Sequence, residues 1–121
     1  FLLSAEEYVE LCFRDSSKFK EIFGPVPSDE QKEAWELNRE MTVRVAWKPY
    51  MFNQSLPYLL PGVTTPTLIV SGSDDKVVPL SCSEHYREVL PNSRLEVIKD
   101  CGHYVDMEKP NELAQLLTSF F

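Results

Sequence analysis

The run Pro66-Thr67-Leu68-Ile69-Val70-Ser71-Gly72-Ser73-Asp74-Asp75-Lys76-Val77-Val78-Pro79 constrains this chain more than any other stretch. Thr67 to Ser71 is apolar and β-branched, entered through Pro66 and closed by Gly72, which is the pattern of a strand buried on both faces. The period then alternates between helix and strand. Pro79 leads into a predicted helix over 82–90, stopped by Pro91-Asn92. Arg94 to Ile98 alternates as a second, more exposed strand, and Asp100-Cys101-Gly102-His103 reads as a turn. Pro110 opens a last predicted helix over 111–121, with Leu113, Leu116, Leu117 and Phe120 on one face. Strand, helix, strand, helix is a βαβα unit, so the two strands are expected as parallel neighbours joined by a right-handed crossover.

The first half has helical period. Ser4 with Glu7 is a capping box opening a helix with Tyr8, Leu11 and Cys12 on one side. Phe19, Ile22 and Phe23 suggest a short second helix, stopped by Gly24-Pro25-Val26-Pro27. Ser28 with Gln31 is another capping box, opening a longer helix striped by Ala34, Leu37, Met41 and Val45 and ending before Lys48-Pro49. Pro49, Pro57, Pro61 and Gly62 then mark a connecting segment with one or two helical turns around Leu56 to Leu60. The expected organisation is a helical segment at 1–47, a connection at 48–62 and the βαβα unit at 63–121.

Length and charge narrow the functions. One hundred and twenty-one residues hold one small domain. Lys plus Arg is 12 against 19 for Asp plus Glu, a net −7 spread over both halves. Such a surface repels phosphate backbones, so no nucleic acid and no membrane surface is expected as a partner. The longest apolar runs are four or five residues, against about 20 for a bilayer span. Three cysteines without a CxxC spacing argue against a disulfide scaffold or a zinc ribbon, and make a reducing, cytoplasmic setting the expectation. No metal or other cofactor is expected. Because residue 1 is Phe, the chain is expected to be a piece of something longer.

The chemistry lies at the carboxyl ends of the two strands, where their following loops share one edge of the sheet. Adjacent parallel strands are about 4.8 Å apart, so Asp75 and His103 can touch although 28 residues separate them. A carboxylate that accepts from one imidazole N–H fixes the tautomer and leaves the other nitrogen free to take a proton from a nucleophile.

These segments resemble α/β-hydrolases. Residues 66–79 match their acid-bearing pattern, P-T-L, an apolar run, G-x-x-D and then x-x-V-P, and Cys101-Gly102-His103 followed by Glu108-Lys109-Pro110 matches their histidine segment. Ala46 to Met51 and Leu56 to Leu60 resemble the stretch that returns from lid to core. The resemblance implies an α/β fold: the C-terminal portion of an α/β-hydrolase, a βαβα unit with parallel strands preceded by a helical lid segment. It gives Asp75 the acid role and His103 the base role. The family's nucleophile sits on an upstream G-x-S-x-G elbow, and here the glycines stand at 24, 62, 72 and 102, no two of them four apart. The nucleophile half is therefore expected outside this sequence, a serine by resemblance, or an aspartate as in the dehalogenase and epoxide hydrolase branches.

Blander readings bear on several residues. Asp75 in a Gly-Ser-Asp-Asp turn could be turn chemistry, and Asp74 fits a solvated turn residue. His103 could be a packed loop histidine, and His85 an ordinary helix residue. Cys101 reads as small apolar filler, since no helix N-terminus or cation is expected to be placed to depress its pKa. Ser71 and Ser73 flank Gly72 without the strain of an elbow. Phe19, Phe23, Trp35, Trp47, Tyr50 and Phe52 could line an acyl pocket or be plain core.

Two functions remain. One is the C-terminal part of a Ser-His-Asp type hydrolase acting on a small-molecule ester or a related acyl or C–C substrate, inactive without the nucleophile half. The other is a non-catalytic, hydrolase-like fragment that serves as a binding or association module. In both, the strand at 67–71 lacks its far neighbour and is expected to pair with the missing half or with another copy, the lid helices shifting to cover apolar surface.

Overall fold

The structure is a computed structural model and describes residues 3–46 and 53–121. Both capping boxes form. Glu7 N–H donates to Ser4 Oγ (3.1 Å) while Ser4 N–H donates to Glu7 Oε2 (2.7 Å), opening α1 (Ala5–Leu11). Asp15 caps α2 (Ser16–Phe23) by accepting from the N–H groups of Ser17 and Lys18, and Gly24 ends it at φ 85°, a conformation open to glycine. The Ser28–Gln31 pair opens α3 (Asp29–Ala46) with reciprocal bonds of 3.2 and 2.8 Å.

Val9, Phe13 and Phe19 form the buried centre of this half, with Phe23, Trp35 and Tyr104 packed against them. Burying a ring as completely as Phe13 contributes roughly 1.5–3 kcal/mol. The buried face of α1 is Ala5, Val9 and then Cys12, and Tyr8 is 45% exposed. The expected Tyr8–Leu11–Cys12 side is thus corrected by about a fifth of a turn: Cys12 is buried as expected, while Val9 replaces Tyr8 because Phe13 and Phe19 pack against it. The stripe on α3 is likewise turned outward. Leu37, Met41 and Val45 are exposed, and Trp35 is the α3 residue that meets the aromatic cluster.

After α4 (Leu56–Leu59) and a 3-10 turn (Leu60–Gly62), β1 (Thr67–Gly72) begins directly behind Pro66. The crossover helix α5 (Leu80–Val89) leads to β2 (Ser93–Ile98), which pairs with β1 in parallel register from Thr67↔Ser93 to Gly72↔Ile98. A buried hydroxyl pair, Ser71 Oγ to Ser83 Oγ at 2.5 Å, pins α5 to β1. Two helices follow, α6 (Val105–Glu108) and α7 (Pro110–Phe120). Leu113 and Leu116 of α7 pack with Val70 on a second core of Ile98, Cys101 and Val105. The turn expected over 100–103 is followed by the short helix α6, an element with no counterpart in the expected βαβα unit.

Among the described residues β1 pairs only with β2. Thr67 N–H donates to Asn92 C=O and Ser73 N–H to Ile98 C=O, so the odd-numbered positions of β1 face β2. By alternation, the peptide groups of Leu68 and Val70 face the open side. Trp47, Tyr50 and Phe52, and most of the lid-return stretch 46–51, lie outside the described residues.

Candidate active site

The strand ladder runs on into both loops. Beyond Gly72 and Ile98, Ser73 N–H donates to Ile98 C=O (2.9 Å), Asp74 N–H to Cys101 C=O (2.9 Å) and Asp100 N–H to Ser73 Oγ (2.9 Å). Asp100 takes φ 53°, a left-handed turn that Asp tolerates better than most residues. The close approach needs glycine on both sides. A Cβ on Gly72 would lie 2.1 Å from Gly102 O, and one on Gly102 would lie 2.6 Å from Arg14 N.

This zipper brings Asp75 Oδ2 to 2.8 Å from His103 Nδ1. The other oxygen, Oδ1, accepts from Val77 N–H and Val78 N–H, both at 2.8 Å. The Asp75 side chain is 8% exposed and the imidazole 34%. Burial works to raise the Asp75 carboxyl, but the bonds from Val78 N–H, His103 and Val77 N–H outweigh it and hold the group below its usual range. Among the described residues nothing hydrogen-bonds His103 Nε2. The pair is an oriented imidazole with its second nitrogen open, which is what a general base requires.

Other residues singled out in the sequence are occupied elsewhere. Asp74 is half-exposed and faces Arg14 at 3.7 Å. Ser71 is buried against Ser83, and Ser73 Oγ donates to Asp74 and accepts from Asp100. Cys101 is fully buried, and burial first, then the Glu108 carboxylate, pushes its thiol up to about 12. His85 lies on the exposed face of α5, 3.6 Å from Glu88. Phe19, Phe23 and Trp35 are core. Among the described residues no group of three or more His, Cys, Asp or Glu could hold a metal ion, and no helix is long and apolar enough to cross a membrane.

Sequence reasoning missed the backbone that follows α1. Cys12 C=O accepts from His103 N–H (2.7 Å) and Tyr104 N–H (3.2 Å). Lys76 Nζ donates to Arg14 C=O (2.6 Å), and the Arg14 guanidinium reaches Asp100 (2.8 Å). The helical half thus seats directly on the histidine turn. The motif residue Glu108 also meets this backbone, its Oε1 accepting from Arg14 N–H (2.6 Å).

The family model for the alpha/beta hydrolase fold matches residues 4–110. The chain belongs to the α/β-hydrolase fold family. It is 36% identical over 63 residues to a 2-hydroxy-6-oxononadienedioate/2-hydroxy-6-oxononatrienedioate hydrolase of Pseudomonas sp., covering 52% of this chain and 22% of that protein. It is 36% identical over 58 residues to a monoacylglycerol lipase of Mus musculus, covering 48% of this chain and 17% of the lipase. The solved 2-hydroxy-6-oxo-6-phenylhexa-2,4-dienoate hydrolase of Rhodococcus sp. strain RHA1 superposes with a TM-score of 0.65 at 18% identity, over 97% of this chain and 43% of that one, a likeness of fold. The chain thus spans less than half the length of each of these relatives.

Proposed function

We propose that this chain supplies the acid and base of a Ser-His-Asp type hydrolase acting on a small-molecule ester or a related acyl or C–C substrate, with the nucleophile contributed by sequence outside these 121 residues. The observation that carries the reading is the 2.8 Å Asp75–His103 bond with Nε2 left open. In this scheme a serine oxygen attacks the substrate carbonyl and gives its proton to His103 Nε2. Asp75 accepts from Nδ1–H throughout and stabilises the imidazolium. His103 then returns the proton to the leaving group, and water repeats the cycle. Family membership and the two hydrolase relatives support a small-molecule substrate. The partner is the nucleophile-bearing half, paired along the side of β1 to which the peptide groups of Leu68 and Val70 turn, away from β2.

A second reading, association without turnover, is favoured by the exposed Leu37, Met41 and Val45. The two separate in an assay of the pure chain on p-nitrophenyl esters, alone and joined to a G-x-S-x-G half. The proposal expects background rates alone and turnover once joined. Turnover by the lone chain that His103→Ala abolishes would place a nucleophile within it, and a folded joined protein without turnover would favour association.

A further inference from the structure

We propose that Glu108 is a positioning residue for His103: its carboxylate clamps the histidine turn to the backbone that follows α1 and so fixes where the imidazole sits. The inference rests on the acid–base role given to His103 above. Glu108 Oε2 accepts from Gly102 N–H at 2.5 Å, and Oε1 accepts from Arg14 N–H at 2.6 Å. One side chain therefore joins peptides 88 positions apart, one of them immediately before the histidine. The next two amides, His103 N–H and Tyr104 N–H, both go to Cys12 C=O. Three successive N–H groups across the histidine are thus bound by Glu108 or by the 12–14 segment, and none by β2.

The packing leaves this clamp no slack. A Cβ on Gly102 would meet Arg14 N at 2.6 Å, Cys12 O at 2.7 Å and Phe13 C at 2.7 Å, all of them backbone atoms. The Glu108 peptide is itself anchored, its N–H donating to Tyr104 C=O at 2.9 Å, so the carboxylate projects from a rigid turn. Arg14 adds ion pairs to Asp100 and Asp74, but its side chain is half-exposed, and such pairs contribute little. Charge-assisted bonds to amides are the stronger kind. An ionised carboxylate presents only acceptors and suits two N–H donors, whereas a glutamine must turn a donor toward one of them.

The test is NMR on the whole chain with nitrogen-15-labelled histidine, reading the His103 tautomer and the amide exchange of Gly102. In the wild type, Nδ1–H is expected as the protonated nitrogen and Gly102 exchanges slowly. Glu108→Ala is expected to abolish the tautomer preference and to speed Gly102 exchange about ten- to a hundredfold, with Glu108→Gln in between. Asp106→Asn, on the exposed side of α6, is expected to change neither. A carboxylate that only stabilised the fold would lower the unfolding midpoint and leave the tautomer of the folded population alone, which would overturn the proposal. If both Glu108 variants unfold, the wild type decides: fast exchange at Gly102 overturns the clamp and slow exchange supports it. A wild type without the Nδ1–H tautomer would sink the acid–base reading itself. A wild type with it, unchanged in Glu108→Ala, would sink only the clamp.

Discussion

Asp75 Oδ2 lies 2.8 Å from His103 Nδ1 while Oδ1 is held by two loop amides, so the carboxylate has one free choice of partner and the imidazole takes it. Asp75→Asn tests that arrangement. Its oxygen is needed by Val77 and Val78 N–H, which leaves the amide NH2 facing Nδ1. Nδ1 then becomes an acceptor and the ring proton moves to Nε2, the wrong tautomer for a base. The nitrogen-15 spectrum of this variant is expected to show Nε2–H for His103. Persistence of Nδ1–H would mean that the two side chains do not touch in solution.

Acid stability follows from the same carboxylate. Its folded pKa lies below the ordinary value because the hydrogen bonds outweigh burial. Stabilisation by a depressed carboxyl is complete above the unfolded value of about 3.9 and is lost as pH falls through the lower folded value. The stability difference between wild type and Asp75→Asn, from urea unfolding, is therefore expected to be steady near about pH 5 and to shrink toward about pH 3. A difference that grows on acidification would reverse the sign of the shift.

The glycines give a graded stability test. Gly72→Ala and Gly102→Ala each drive a Cβ into backbone, at 2.1 and 2.6 Å, and neither neighbour can swing aside. Both are expected to cost about 1–3 kcal/mol or more by denaturant melts. Gly62→Ala meets nothing within 4 Å and is expected to be close to neutral. Equal effects at all three positions would contradict the close approach of the two loops.

Much of this was legible because the signals are local. Both capping boxes, the Pro66 entry to β1, the Gly-Ser-Asp-Asp turn and the proline that opens α7 each depend on a few adjacent residues. The Asp75–His103 contact was legible too, since parallel pairing puts both loops on one edge. Illegible was what depends on which side a distant partner lies. The face of α1 was misjudged because the ring of Phe13, beyond the helix, selects Val9 over Tyr8. Periodicity on α3 showed a stripe but not that it stays exposed. Glu108 and Arg14 are 94 residues apart, and no spacing rule connects an exposed-looking pair at that separation.

The open edge of β1 predicts association with a residue-level signature. Leu68 and Val70 N–H face outward and Ile69 N–H faces β2. Amide exchange followed over protein concentration is expected to slow at Leu68 and Val70 as the chain associates, with Ile69 protected throughout. Sedimentation showing a monomer at tens of micromolar, with Leu68 and Val70 already slow, would mean that another part of the chain seals the edge.

The central claim, that Asp75 and His103 are the acid and base for a nucleophile outside these 121 residues, is tested most directly by joining a family G-x-S-x-G half ahead of residue 1 and measuring kcat on a p-nitrophenyl ester with and without His103→Ala. A triad histidine accounts for a loss of about 10⁴- to 10⁶-fold. The joined protein is expected to turn the ester over, and the variant to lose activity by that order. Turnover that survives His103→Ala within about tenfold would contradict it.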